Sequence, residues 1–351
     1  MARNVTGSDA STVRVTAFGG PRDAWDAAVL RFGGTFCHLS GWWRVLEDVL
    51  GHETFTLVAT DDSDEILGLL PMGRVRSRLF GDYLLSMPFL SYGGPLGSEE
   101  ARRALAGSAV EHARSLGVDL LELRALRPVP GALATSSRKM TVVKALPASV
   151  DELWKSGLKA KLRSQVRRPM KEGMTSRFGL ELLDAFYGVF ARTMRDLGTP
   201  VLPRRFFEVV AREFSREALI GVVEHRGRTV AAGFGFAFGG EVEITWAGAR
   251  RDCAAMAPNM LLYWAFMEES IGRGATRFNF GRCSPGSGTH RFKLQWGGEE
   301  LPLPWAQWSP RGLTATPSPE SAMYRLATAL WRRLPVSLTV RVGPIFSRSL
   351  P

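Results

Sequence analysis

The sequence is poor in cysteine, in lysine and in long apolar runs. Its three cysteines, Cys37, Cys253 and Cys283, stand far apart. Neither a disulfide framework nor zinc-ligand spacing can be built from them. The five histidines, His38, His52, His112, His225 and His290, form no HExxH pair, so no metal site is expected. No apolar run reaches the ~18 residues of a membrane-spanning helix. Met1 to Thr16 is polar and lacks the apolar core of a secretory signal, so a cytoplasmic protein is expected.

What remains is globular and basic. The 351 residues exceed one ordinary domain and suit two of roughly 150 residues each. Apolar residues make up 45% and charged residues 23%, which excludes a disordered chain. The net charge of +11 favours anionic partners: phosphorylated substrates, nucleic acid or an anionic membrane surface. Among the 45 basic residues only Lys139, Lys144, Lys155, Lys159, Lys161, Lys171 and Lys293 are lysines. All but Lys293 lie between positions 139 and 171.

Punctuation and periodicity place the elements. Val13 to Ala17 reads as a strand, and Pro21 to Phe32 and Ser40 to Leu50 as helices. Thr54 to Thr60 and Glu65 to Val75 read as strands joined by an acidic turn. Met87 to Gly97 reads as a loop, and Ser98 to Leu116 as a helix with Ser98 as its N-cap. Val118 to Leu123 reads as a strand, and Arg127 to Ser137 as a loop. This alternation indicates an α/β domain with a mixed sheet over residues 1–148.

A second unit is expected over 149–308. It opens with a helix from Ser149 to Arg168, which Pro169 should kink or stop. A helix from Leu202-Pro203 to Phe214 follows. Three antiparallel strands come next, with Gly239-Gly240 as a two-residue hairpin turn. Val230, Ala232, Phe234, Phe236 and Phe238 should share one face. Val242, Ile244 and Trp246 should share one face of the return strand, with Glu243 and Thr245 opposite. A helix from Asn259 to Ile271 leads into the strand Thr276 to Phe280. This order of elements resembles that of the acetyltransferase-like (GNAT) fold. Residues 309–351 form a separate tail. Pro310, Pro317 and Pro319 mark a linker, and arginines then alternate with Leu, Val, Trp and Phe.

Four constellations could carry chemistry. Lys159, Arg163, Arg167 and Lys171, spaced by four, share one helix face opposite Leu158, Leu162 and Val166. That suits phosphate binding, or else a solvated surface. Gly281 to Gly298 collects glycines, the hydroxyls of Ser284, Ser287 and Thr289, and the cations Arg282, Arg291 and Lys293. Following a strand, it reads as a substrate-binding loop that cradles a phosphate or a developing oxyanion. An ordinary hairpin loop is the alternative. Cys283 has no His–Asp partners in pattern and reads as a packed thiol. Tyr92, in the run SYGGP from Ser91, could line a cleft between the units; a plain turn is the alternative. Tyr324, Leu326, Leu330, Trp331 and Leu334 with flanking arginines suit either an anionic membrane surface or a helix docked on the body.

Three runs carry a family resemblance: KAKLRSQVRR from Lys159, DLGTPVLP from Asp196 and GTHRFKLQWG from Gly288. They resemble FemAB-like proteins, in the branch found beside exosortase and exopolysaccharide gene clusters. The run SYGGP and the run WRRLP from Trp331 resemble the same branch. The resemblance implies two GNAT-like domains across a cleft. It implies acyl or aminoacyl transfer to an amine of a nucleotide- or lipid-linked envelope precursor. The donor it implies is aminoacyl-tRNA, and no bound cofactor is expected. It places Lys293 near the reacting ester, with Arg282 as a second catalytic candidate. Lys159, Arg163 and Arg167 become candidates for phosphate or tRNA contact. Ordinary GNAT enzymes hold an acyl-CoA pyrophosphate on a glycine-bearing loop. The corresponding stretch, Arg250 to Asn259, has no glycine, which counts against acetyl-CoA. The long insertions with which other members embrace tRNA are also absent. A CoA-dependent acetyltransferase and a non-catalytic module for an anionic lipid-linked glycan are the competing readings. A monomer and a dimer fit equally.

Overall fold

A computed structural model describes residues 13–77, 81–131, 133–312 and 322–349. The expected linker around Pro317 and Pro319 falls outside them.

The first half runs β1 (Arg14–Ala17), α1 (Arg22–Arg31), α2 (Gly41–Arg44), β2 (Glu53–Thr60), β3 (Ile66–Ser77), β4 (Gly81–Leu85), β5 (Leu96–Gly97), α3 (Glu99–Leu116), β6 (Leu120–Leu123) and β7 (Ala134–Ala145). The second runs α4 (Val150–Glu152), α5 (Ala160–Lys171), β8 (Thr175–Phe178), α6 (Leu183–Leu197), α7 (Arg204–Glu213), β9 (Ala218–His225), β10 (Arg228–Phe238), β11 (Glu241–Ala249), α8 (Pro258–Gly272), β12 (Arg277–Cys283), α9 (Gly288–Leu294) and β13 (Glu299–Trp308). Two tail helices follow, α10 (Ala322–Trp331) and α11 (Val336–Ser347). Strand β8 and helix α6 go beyond the sequence-based expectation.

The halves repeat one plan. In each, three antiparallel strands lead through a helix to a strand parallel to the third: β2-β3-β4, α3, β6, then β9-β10-β11, α8, β12. The final strands then exchange. Strand β7 pairs with β12, β13 pairs with β6, and β7 and β13 pair with each other. One continuous mixed sheet results, ordered β1-β2-β3-β4-β6-β13-β7-β12-β11-β10-β9-β8. Its centre is therefore made by strands from both halves.

Burial follows the sheet. Helix α3 covers the first half on one face, and α5 and α8 cover the second half. A larger core joins the halves. There Trp25, Phe36 and Trp42 pack with Phe206, Phe214, Phe234 and Phe236, and the Phe36 and Phe236 rings stack with centroids 4.1 Å apart. Residues of the first hundred and the third hundred thus exclude water from one another, which fixes the two halves as a unit.

Local chemistry explains most elements. The Ser98 hydroxyl accepts from the Ala101 N–H and starts α3. Gly239 and Gly240 both have positive φ, 57° and 78°, as a two-residue hairpin turn demands.

Three expectations are corrected. The helix expected from Ser149 to Arg168 breaks at Leu158 and restarts at Ala160, and Pro169 lies inside its last turn instead of stopping it. The shared faces of β10 and β11 are each interrupted by a bulge. One lies between Thr229 and Ala231, and it turns Val230 to the α8 side while Ala232, Phe234 and Phe236 face the aromatic core. The other shifts the register at Phe234/Gly235, skipping Thr245, so Ile244 and Trp246 face opposite cores. Finally, Gly281 to Gly298 is not one loop. It is the end of β12, a turn, the helix α9 and a second turn.

Candidate active site

The central strands β6, β13, β7, β12 and β11 bring buried polar groups together, which a sheet interior ordinarily excludes. Glu243 on β11 is 2% exposed, and its Oε2 has no hydrogen-bond partner. Burial pushes its carboxyl up to about 8; Glu241 adds to the rise, while Lys293, Tyr92 and Thr245 oppose it. The skipped residue Thr245 donates its hydroxyl to Glu243 Oε1 at 3.2 Å. The contact joins two residues that the period of two already places on one face.

Lys293 sits on α9 and is 5% exposed. Its ammonium donates to the carbonyls of Gly281, at 2.5 Å, and Arg282, at 3.0 Å. Burial lowers its pKa to about 8, against the pull of Cys283 and Glu243. Helix α9 holds it there because Ser287 caps the helix by accepting from His290 N–H. His290 in turn accepts from the Gly286 N–H on Nδ1 and meets Glu300 through Nε2.

Asn279 on β12 knits the site together. Its amide donates to the Tyr92 hydroxyl at 3.0 Å and to Glu241 at 2.9 Å. Its carbonyl accepts from Thr141 and from the Gly281 N–H. Tyr92 belongs to the loop after β4, where Met87 and Phe89 adopt positive φ without being glycine. Such backbone is held only by its surroundings.

Beside this pair lies a cationic cluster. Arg124, 3% exposed, donates to Glu122 and to the Leu90 carbonyl. Its guanidinium and that of Arg282 both lie over the Trp305 ring, at 4.8 and 5.2 Å from the centroid. Burial, with Arg124 close by, lowers the Arg282 pKa to about 10. Lys139 donates to the Ser284 hydroxyl at 2.9 Å, and burial with Arg282 and Arg124 lowers its pKa. The Trp305 indole N–H is buried without a partner. Three cations cluster about the Trp305 ring, and Glu122 answers only part of their charge. Such a place favours an anion.

The candidates from sequence therefore separate. Lys293, Arg282, Tyr92 and Ser284 meet at the centre. Ser287 is the α9 cap, Thr289 is exposed and bonds Ser287, and Arg291 donates to the Gly286 carbonyl; these three build the turn. Lys159, Arg163 and Arg167 lie along α5. Lys159 is exposed at the start of α5, and Arg167 lies over the Trp154 ring. One nitrogen of Arg163 donates to the carbonyls of Trp154, Lys155 and Leu158, satisfying the end of the helical turns before the break. Arg163→Ala is accordingly expected to lower the unfolding free energy by about 1–3 kcal/mol and to leave turnover at the central site unchanged. Denaturant melts and steady-state rates of one preparation check both halves of that statement.

Glu243, Asn279, Arg124, Lys139 and Trp305 were not singled out from sequence. For Glu243 a signal exists: a carboxylate set between Val242 and Ile244 in a largely apolar strand. Within Arg250 to Asn259, Arg251–Met256 forms a 3-10 helix, where Arg250 pairs with Asp252 and Arg251 donates to the Asp196 carbonyl, and Pro258 and Asn259 already open α8. Among the described residues no group of three His, Cys, Asp or Glu could hold a metal ion.

Residues 158–294 match the family described as an acetyltransferase (GNAT) domain. No curated protein matches the sequence. Among solved structures, FemX superposes with a TM-score of 0.64 at 14% identity, over 84% of this chain and 97% of FemX. L-PGS from Bacillus licheniformis gives 0.55 at 16% identity, over 90% and 97%. The C-terminal domain from Agrobacterium fabrum described as that of a lysylphosphatidylglycerol synthetase gives 0.57 at 14%, over 87% and 95%. The chain thus has a GNAT-like fold, and residues 158–294 in its second half are the part that matches the acetyltransferase (GNAT) domain family.

Proposed function

We propose that the protein is a FemAB-like N-acyltransferase that acylates or aminoacylates an amine carried by an anionic precursor. The observation that carries this is the buried carboxyl of Glu243, with its Oε2 unpartnered and its pKa raised to about 8, beside Lys293. A general base serves best when its pKa lies near the working pH. In the proposed step the amine nitrogen attacks the acyl carbonyl carbon. The C–N bond forms, the carbonyl pair moves onto oxygen, and the amine proton passes to Glu243. Collapse of the adduct breaks the C–O or C–S bond to the donor, whose oxygen or sulfur leaves with a proton. The Lys293 ammonium stabilises the oxyanion. Arg124, Lys139 and Arg282 hold the anionic group of the acceptor. Tyr92 and Asn279 set the spacing between the two halves.

The acceptor we favour is an envelope or exopolysaccharide precursor bearing phosphate, met on the cytoplasmic side. This rests on the resemblance of SYGGP and WRRLP to the exosortase-associated branch and on the cationic cluster. Acyl-CoA as donor is favoured by the family match; the glycine-free turn at Arg250 to Asn259 favours an aminoacyl ester. Labelled acetyl-CoA and labelled aminoacyl-tRNA, each offered with amine-bearing sugar phosphates, test the reading. Label in the amide product from one donor is expected. Tight acceptor binding with no transfer from either donor would instead make the chain a binding module.

The cationic cluster has its own test. The Lys139→Gln/Arg282→Gln double variant is expected to raise KM for a phosphate-bearing acceptor on the order of 100- to 10,000-fold, since charge-assisted hydrogen bonds contribute about 1.5–3 kcal/mol each. Inorganic pyrophosphate should inhibit the wild type and not the variant. Equal inhibition of both would remove these side chains from anion recognition.

A further inference from the structure

The two tail helices present an unusual surface. Their inner sides are docked. Arg195 donates to the Leu334 carbonyl at 2.9 Å, and Arg332 to the Leu197 carbonyl at 3.2 Å. Val336 and Val340 pack onto the aromatic core that joins the halves. Gly343 lies so close to Val201 that a side chain there would meet its backbone at 3.1 Å. The tail is thus part of the body.

The outer sides carry what a water-facing surface ordinarily avoids. Leu326 is 62% exposed and Leu330 55%, four residues apart on α10; Leu338 is 42% exposed and Ile345 59%, seven apart on α11. Those spacings put each pair on one helix face. Leu197, at the adjoining end of α6, is 52% exposed as well. Between them stand Arg325, Arg333 and Arg341, all exposed, and residues 322–349 contain no Asp or Glu.

We infer that this face docks on the surface of an anionic lipid bilayer, with α10 and α11 lying in the plane of the headgroups. Leucines would enter the acyl boundary while arginines meet lipid phosphate. A second copy of the chain is disfavoured, because a two-fold interface would set arginine against arginine. No helix among the described residues is long and apolar enough to cross a membrane, so the contact is peripheral. The inference is independent of the acyl-transfer reading, since it uses none of that site's residues. Taken with it, a lipid-linked acceptor would be met at the membrane surface.

Co-sedimentation with vesicles of phosphatidylcholine alone and of phosphatidylcholine mixed with phosphatidylglycerol tests the inference. Binding to the mixed vesicles only is expected, and it should fall as salt rises. Each arginine near the surface changes partitioning about fivefold. Arg325→Gln/Arg333→Gln/Arg341→Gln should therefore lower it on the order of 100-fold. Leu326→Asp/Ile345→Asp should abolish it, with unchanged thermal midpoints showing that the exposed substitutions leave the fold intact. Failure of the wild type to bind mixed vesicles overturns the inference. So does equal binding to both vesicle types, or undiminished binding of the Leu326/Ile345 variant. A concentration-dependent dimer that this variant abolishes, without vesicle binding, assigns the face to a second copy instead.

Discussion

Glu243→Gln is expected to lower kcat by about a hundred- to ten-thousand-fold, the range for loss of a positioned general base. The substitution keeps the shape of the side chain and removes only its ability to take the amine proton. The pH profile separates this from a packing effect. In the wild type Glu243 must be ionised, which favours pH above about 8. Lys293 must be protonated, which favours pH below about 8. The rate should therefore peak near pH 8 and fall on both sides. The glutamine variant should lose the rising limb while keeping the falling one. An unchanged profile at reduced rate would mean that Glu243 is not the base.

The same variant has a stability signature of definite sign. The folded pKa of Glu243 is raised above its unfolded value, so the neutral carboxyl is the form the fold accepts. Its contribution is full below the unfolded pKa of about 4.5 and is lost as pH rises through about 8. Glutamine never ionises and escapes that loss. Relative to wild type, the variant should thus melt higher at pH 9 than at pH 5.5. A protein that gains alkaline stability while losing turnover behaves as expected when a strained group is kept for function.

How much of this was legible depends on the range of the interaction. The Ser98 cap and the Gly239-Gly240 turn are local and were readable, as was the loop that carries Tyr92. The prominence of Lys293 was readable from its isolation among arginines. The exchange of β7 and β13 was not. The first residues of β7, Ala-Thr-Ser-Ser-Arg, look like loop, and their partners lie on Trp305 to Gln307, far along the chain. That exchange is what assembles Lys139, Arg282 and Trp305, so the cationic cluster has no sequence signature of its own. The bulge that skips Thr245 defeats a strict period of two and sends Ile244 and Trp246 to opposite cores. The lysine and arginine stripe on α5 has a structural part that was hidden for a related reason. Its period was real, but Arg163 answers carbonyls exposed by a helix break that periodicity does not reveal.

Lys293→Met is the second substitution with a large expected effect, and its difficulty is that Lys293 also holds structure. Its ammonium ties α9 to the carbonyls of Gly281 and Arg282, so a loss of rate alone could reflect a displaced loop. Stability decides between the roles. The folded pKa of Lys293 is depressed to about 8, so the fold prefers its neutral form. The stability this confers is present above the unfolded pKa of about 10.4 and is lost as pH falls through about 8. At pH 7 the wild type therefore carries a buried cation at a cost, and methionine keeps the stem without the charge. If the ammonium serves to stabilise the oxyanion, the variant should fold as well as the wild type or better at pH 7. Its kcat should fall about a hundred- to a thousand-fold, as when one oxyanion donor is removed. The falling limb of the pH profile should vanish with it. A structural tie would give the opposite pattern: a lower melting point at pH 7, a modest rate loss, and a falling limb still in place. Measuring melting and kcat on one preparation across pH 6 to 10 distinguishes the two outcomes. The second outcome would leave Glu243 and the cationic cluster to carry the chemistry without a charge on the developing oxyanion.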